Sequence, residues 1–285
     1  IADGFRAASG EPDLTVGVDG IWGIDQHFIP YGLYNFEYMS QAGLDGMCAY
    51  CSELTQIPNG KIYNWDLLRS IQTGGMVAGW FGYADPRDTD YRMGPWWGLF
   101  HGAHAASFFA ANGHIVDGCA ILGRGHWIEE ATRELRQGVG KLVAQSEMER
   151  DNIGIYFNFS NYQLAWILAK TRGWDWLSRL KADGKASIER VLMDLGYTPL
   201  FITDQMIEKG VLNDLDLVIL NGAISLPDAT ASAFERFVKQ KGGTLVADVI
   251  PGVYTADGVP RETGCLDHLF GVARGTLDIT MRPPS

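Results

Sequence analysis

Short apolar runs alternate with amphipathic segments along this chain, and that alternation restricts its fold more than any other feature. Apolar runs of about four to eight residues rich in β-branched side chains read as buried strands, and an apolar residue every third or fourth position reads as one helix face. A strand–helix–strand order makes neighbouring strands parallel, because the chain crosses back over the sheet before the next strand begins. In the first half, Leu14 to Val18, Gly46 to Tyr50, Gly75 to Trp80 and Ala105 to Ala110 read as strands. Tyr34 to Ala42, Trp65 to Gln72 after an Asn64 N-cap, Pro95 to Gly102 with proline at its first position, and Ile128 to Glu147 read as helices. Ala2 to Ala8 reads as the end of a helix stopped by Gly10. Four β/α units in a row fit half of an eight-fold barrel or most of an open sheet.

The connections are unequal. Helix-to-strand returns are short, as in Gln72-Thr73-Gly74 and Gly102-Ala103, whereas the segments after the strands are long and rich in Trp, Tyr, Asp and His. Barrels keep their chemistry at the carboxyl ends of the strands, so this asymmetry puts polar and aromatic side chains where such a fold uses them. From about Asp151 a second unit begins. Ile153 to Tyr156, Pro199 to Thr203, Leu217 to Leu220 and Thr244 to Ala247 read as strands; Ser187 to Leu195, ended by Gly196, and Pro227 to Gln240 read as helices. This pattern predicts a doubly wound α/β domain.

A length of 285 residues suits two domains, and 46% hydrophobic with 20% charged residues suits chains that bury a core. The net charge of −11 and pI near 4.9 exclude nucleic acid and anionic membrane as expected partners, since little here would neutralise phosphates. No stretch of about 18 apolar residues is present. Nine Trp and eleven Tyr suit stacking on the C–H faces of sugar rings, or core packing. Of the four cysteines, Cys48 and Cys51 form a C-x-x-C, readable as a redox pair, half a zinc site or buried thiols; in a strand, the two would face opposite ways. Cys119 and Cys265 complete no framework, which leaves an extracellular, periplasmic or cytoplasmic location open. The start at Ile1 inside a helix and the finish at Ser285 after a strand-like 276–280 lead us to expect a segment of a longer protein.

Particular motifs carry a family resemblance. Ile153-Gly154-Ile155-Tyr156, Leu217-Val218-Ile219-Leu220-Asn221-Gly222, the helix Asp228 to Lys239, Gly242-Gly243-Thr244-Leu245-Val246-Ala247-Asp248 and Leu266-Asp267-His268-Leu269-Phe270-Gly271-Val272 together resemble the trimerisation domain of family 42 β-galactosidases. Arg92-Met93-Gly94-Pro95-Trp96-Trp97-Gly98-Leu99-Phe100-His101-Gly102-Ala103 resembles the helix before the eighth strand of that family's catalytic barrel. The resemblance implies residues 1–150 as the C-terminal half of a (β/α)8 TIM barrel, 151–275 as a flavodoxin-like domain of the class I glutamine amidotransferase kind, and 276–285 as the start of a further segment. It also implies a glycosidase, a carbohydrate substrate such as a galactoside, no cofactor and a homotrimer. An amidotransferase activity would need a nucleophile after Leu220; Asn221-Gly222-Ala223-Ile224-Ser225 offers no Cys, and Ser225 lacks a G-x-S-x-G elbow.

Retaining glycosidases place two carboxyl groups about 5–5.5 Å apart across the scissile bond. In the family the acid/base follows the fourth strand, which would lie upstream of Ile1, and the nucleophile is a Glu after the seventh. That strand should be Gly75 to Trp80, yet no Glu follows in Phe81-Gly82-Tyr83-Ala84-Asp85. Asp85 is the catalytic candidate there, its alternative being a solvated loop carboxylate. Glu53, after Gly46 to Tyr50, is the second, as a displaced catalytic group or a hydroxyl binder. Asp19 and Trp22 after the first strand, Trp80, Tyr83, Arg92 and Trp97 are substrate-binding candidates; for Arg92 the alternative is a surface pair with Asp88 or Asp90, and for Asp19 a loop cap. Trp96 and Trp97 should divide between core and barrel mouth, and His101 should be a packed helix residue. The histidines show no metal-ligand spacing. Loss of the seventh-strand Glu also fits a carbohydrate-binding or structural homologue without catalysis.

Overall fold

The computed structural model describes residues 2–11, 13, 15–21, 36–41, 43–50, 63–72, 75–81, 88–108, 116–173, 184, 187–248 and 251–274. It is a mixed α/β structure with two separate four-stranded parallel sheets.

The first sheet contains β1 (Gly17–Ile21), β2 (Gly46–Tyr50), β3 (Met76–Phe81) and β4 (Ala105–Phe108), adjacent in sequence order. Helices α2 (Phe36–Gln41), α3 (Tyr63–Ile71) and α4 (Asp88–Phe100) lie between successive strands in the chain. Helix α1 (Ala2–Ser9) ends at Gly10, whose φ of 74° only glycine adopts readily, and Arg6 anchors it by an ion pair to Asp45 at 2.5 Å. The Asp45 carboxylate also accepts the Val16 amide at 2.7 Å, and its own amide donates to the Val16 carbonyl at 2.8 Å. Those bonds draw Val16 into the Asp45 turn, so pairing starts at Gly17, three residues later than the Leu14 to Val18 run suggests.

Three helix boundaries also differ from expectation. Helix α4 begins at Asp88, with Pro95 inside rather than at its start. An interior proline forfeits one backbone bond, and here burial of Gly94 and Pro95 against the rest of the fold keeps the helix continuous. Asn64 lies within α3 rather than capping it. The long helix expected over Ile128 to Glu147 is α5 (Gly123–Glu134), a π-turn over Leu135–Val139 and α6 (Gly140–Ala144). A hairpin, β5 (Val116–Asp117) with β6 (Ala120–Ile121), precedes it.

The second sheet has the order β8-β7-β9-β10, from β7 (Ile153–Tyr156), β8 (Leu200–Ile202), β9 (Leu217–Leu220) and β10 (Thr244–Ala247). The chain steps from β7 to one side and then returns to the other, which creates a switch point between β7 and β9. Helix α7 (Phe159–Arg172) follows β7, a helix over 187–194 (α8) precedes β8, α9 (Asp204–Glu208) follows β8, and α10 (Asp228–Arg236) leads through a π-turn into β10. The sequence reading had not assigned α7, although Asn158 caps it by accepting the Asn161 amide and Gly173 closes it in the left-handed region. Helix α11 (Asp267–Phe270) is the last described element.

Helix α3 joins the two sheets. Trp65, Leu67, Leu68 and Ile71 are almost fully buried, and they share one core with Met47 and Val77 of the first sheet and Ile155, Phe157 and Phe201 beside the second. A helix buried around most of its circumference reads as nearly all core. The Trp65 indole sits where two glycines leave room. A Cβ on Gly79 would lie 2.7 Å from its Cζ2, and one on Gly98 3.3 Å away. Burying this side chain contributes at most roughly 5 kcal/mol by area. Ser70 completes the join: its hydroxyl donates to the Asp66 carbonyl at 2.6 Å and accepts the Phe201 amide at 3.2 Å. That amide belongs to an edge strand of the second sheet, so α3 both packs on the edge and satisfies it. No helix among the described residues is long and apolar enough to cross a membrane.

Candidate functional site

The segments leaving the carboxyl ends of the first sheet, 22–35, 51–62, 82–87 and 109–115, lie outside the described residues, and with them Trp22, Glu53, Tyr83 and Asp85. Three candidates are placed by backbone alone. Asp19 lies inside β1 rather than after it, where the register slips between Val18 and Ile21; the cause is the later start of pairing described above. Trp80 is in register with Tyr50 and Ser107, one residue before the end of β3. Arg92 is in the first half of α4. Trp97 is placed fully: it packs against the core containing Trp65, while Trp96 stacks on Phe100 with ring centroids 6.2 Å apart. Trp97 therefore sits in the helix layer, apart from the strand ends that carry Trp80. Cys48 is buried in β2, and Cys51 lies outside the described residues.

Two buried polar clusters emerge that the sequence reading did not single out. The first lies between the two sheets. Asp66 on α3 is 5% exposed and holds Arg69 at 2.5 Å through one oxygen and the His101 ring at 2.6 Å through the other. His101 stands just beyond the end of α4, stacks over Trp65 and hydrogen-bonds to Asp66, so it is a polar partner and not only the packed helix residue expected. Glu189 on α8, 3% exposed, lines the same cavity as Asp66. Burial, and next the Asp66 charge, push the Glu189 carboxyl well above the usual glutamate range, with Arg69 opposing the rise. Arg150 approaches the same group, and burial lowers its guanidinium pKa. Asp66 and Arg69 at i,i+3 were a legible pair; Glu189, from the other sheet's helix, gave no local signal.

The second cluster lines the carboxyl edge of the second sheet. Asp204 accepts from the Tyr156 hydroxyl at 2.7 Å, the Thr230 hydroxyl at 2.6 Å and the Asn158 amide. Burial raises the Asp204 carboxyl above its usual range, and it raises the Tyr156 phenol well above its own. Across the switch point, Asp248 accepts from the Asn221 side chain at 2.5 Å and from the Gly222 amide at 2.6 Å. Ser225 is fully buried; its hydroxyl donates to the Thr255 carbonyl at 2.8 Å, and its amide donates to Asn161 at 2.7 Å. A nucleophilic serine needs a base at its hydroxyl and access for substrate; Ser225 has a carbonyl acceptor and no exposed surface. His268, the histidine of the LDHLFGV motif, pairs with Glu235 on the surface at 3.2 Å. This edge therefore holds a buried polar network, in which Asn221 Oδ1 alone of these side chains has no partner among the described residues, and its serine is not placed as an amidotransferase-like nucleophile would be.

No protein-family model matches the chain, and no curated protein matches it. A solved β-galactosidase from Bifidobacterium adolescentis is similar over 44% of this chain at 16% identity with a TM-score of 0.32. The match spans 54% of that chain, about half its length, and a likeness this slight says nothing about activity.

Proposed function

We propose that this chain is part of a glycoside hydrolase of the β-galactosidase clan, with its chemistry at the carboxyl rim of the first sheet. The observation that supports the reading is the sheet itself: four parallel strands adjacent in sequence order, as one side of a closed barrel requires, with β1 and β4 each carrying an edge unpaired among the described residues. Every segment leaving that sheet's carboxyl ends carries an acidic or aromatic side chain, including Trp22, Glu53, Tyr83 and Asp85. On this reading Asp85 and Glu53 are the carboxylates, Asp19, Trp22, Trp80, Tyr83 and Arg92 hold the sugar, and the acid/base comes from a strand outside this sequence. Trp97 acts through packing. The second sheet, with strand order 2-1-3-4 counted from β7, belongs to a flavodoxin-like domain that assembles a homotrimer. The substrate is a galactoside or related glycan, and no cofactor takes part.

The test is turnover of a panel of aryl glycosides by the protein, with Asp85→Asn and Glu53→Gln alongside. A fall of about a hundredfold or more in either variant supports the assignment. Hydrolysis that survives both substitutions rejects these carboxylates. The absence of a Glu after β3, where Gly79-Trp80-Phe81-Gly82 stands, favours a second reading: a carbohydrate-binding homologue without turnover. Binding of galactosides without hydrolysis across the panel selects that reading.

A further inference from the structure

Glu189 and Asp66 come from opposite sides of the seam, one from α8 and one from α3, and lie as two nearly buried carboxyl groups on one cavity. Two carboxylates this close ionise together only at high cost, so the contact is made while one proton is shared between them. We propose that the Asp66–Glu189 pair is a proton-operated latch across the seam between the two sheets, closed in acid and weakened towards alkali.

The surroundings account for both states. Around the pair stand Arg69 from α3, His101 from the end of α4, and Arg150 from the stretch leading into β7. On α8 itself, Arg190 and Asp194 pair with each other at an exposed position and leave Glu189 to the seam. Asp66 spends one oxygen on Arg69 and the other on His101, so a proton on Glu189 supplies the donor that binds the two carboxyls. The same helix inserts Leu192 into the core that holds Trp65 and Phe201. A cavity of about 310 Å³, lined by Asp66, His101, Glu189 and Tyr197, gives the proton a path to solvent. Helices α3 and α4 come next in the chain after the segments that carry Glu53 and Asp85, so the latch holds the elements that follow the proposed carboxylates in sequence.

The sign follows from linkage. When the seam opens, Glu189 returns to ordinary glutamate behaviour and releases its proton. Opening is therefore favoured by about tenfold per pH unit from the usual glutamate range upward, until Glu189 ionises in the closed seam as well. Hydrogen exchange of the 187–194 and 200–202 segments, corrected for intrinsic base catalysis, should show protection falling with this slope from the usual glutamate range upward. Glu189→Gln keeps a donor to Asp66 and removes the proton. Its protection should stay level across the same range. An unchanged slope in this variant overturns the latch, as does a level profile in the wild-type protein. Should Glu189→Gln fail to fold, infrared titration of the wild-type protein decides: a protonated carboxyl C=O band that persists above the usual glutamate range is expected, and loss of every such band within that range overturns the proposal.

Discussion

Gly79→Ala tests whether the two sheets share one core. The added methyl would sit 2.7 Å from Cζ2, 2.9 Å from Nε1 and 3.0 Å from Cε2 of Trp65. These atoms belong to a rigid ring that is itself fully buried, so the indole or β3 must shift. Overpacking of this kind costs about 1–3 kcal/mol, and replacing a strand glycine by alanine recovers up to about 1 kcal/mol of backbone entropy. A net loss of about 1–2 kcal/mol is expected, a fall in Tm of roughly 2–8 °C for a chain of this size. Gly98→Ala is the control. Its methyl would meet Ala103 and Trp65 at 3.3 Å, a milder contact, and a helix gains about 1 kcal/mol from the exchange. That variant should lie within about 1 kcal/mol of the parent. The assay is thermal unfolding followed by far- and near-ultraviolet circular dichroism. Because Trp65 packs against groups from both sheets, both signals should move together in Gly79→Ala. If only part of the signal shifts, or Gly98→Ala costs as much, the shared-core argument fails.

Ser70→Ala should cost about 1–2 kcal/mol in urea unfolding, because the Phe201 amide loses its acceptor at a covered sheet edge; unchanged exchange of that amide would count against the edge-capping role. Burial raises the Glu37 carboxyl above its usual range, against a Thr203 hydroxyl that lowers it. A raised folded value means stability that is full below the ordinary glutamate range and lost as pH rises through the folded one. Glu37→Gln should therefore flatten that part of the stability–pH curve in urea titrations, and an unaltered slope would refute the assignment.

Local chemistry made much of the framework legible. β2, β3, β7, β9 and β10 fall within a residue of the apolar runs that announced them, because strands of a parallel sheet that packs on a core are written as short continuous apolar stretches. Gly10 and Gly196 stop their helices at positive φ, as a residue without a Cβ does most easily. Where the reading missed, a distant partner had outweighed a local preference. Asp45 draws off Val16 and delays β1. Packing carries α4 through Pro95. Helix α7 buries one stripe from Asn161 to Ala169, but polar Asn161 lies on that stripe and Ile167 is exposed off it, so its one-sided pattern is faint although its caps are in the sequence.

By itself the sequence determined the strand–helix alternation, the parallel sense of both sheets and the crowding of acids and aromatics into the segments after the first sheet's strands. These follow from periodicity and turn chemistry, which act over a few residues. Only the tertiary structure decided the strand order of each sheet, the burial of α3 between them and the meeting of Asp66 with Glu189. Burial depends on what arrives from elsewhere in the chain, and a carboxyl group reads the same in sequence whether it faces water or another carboxyl.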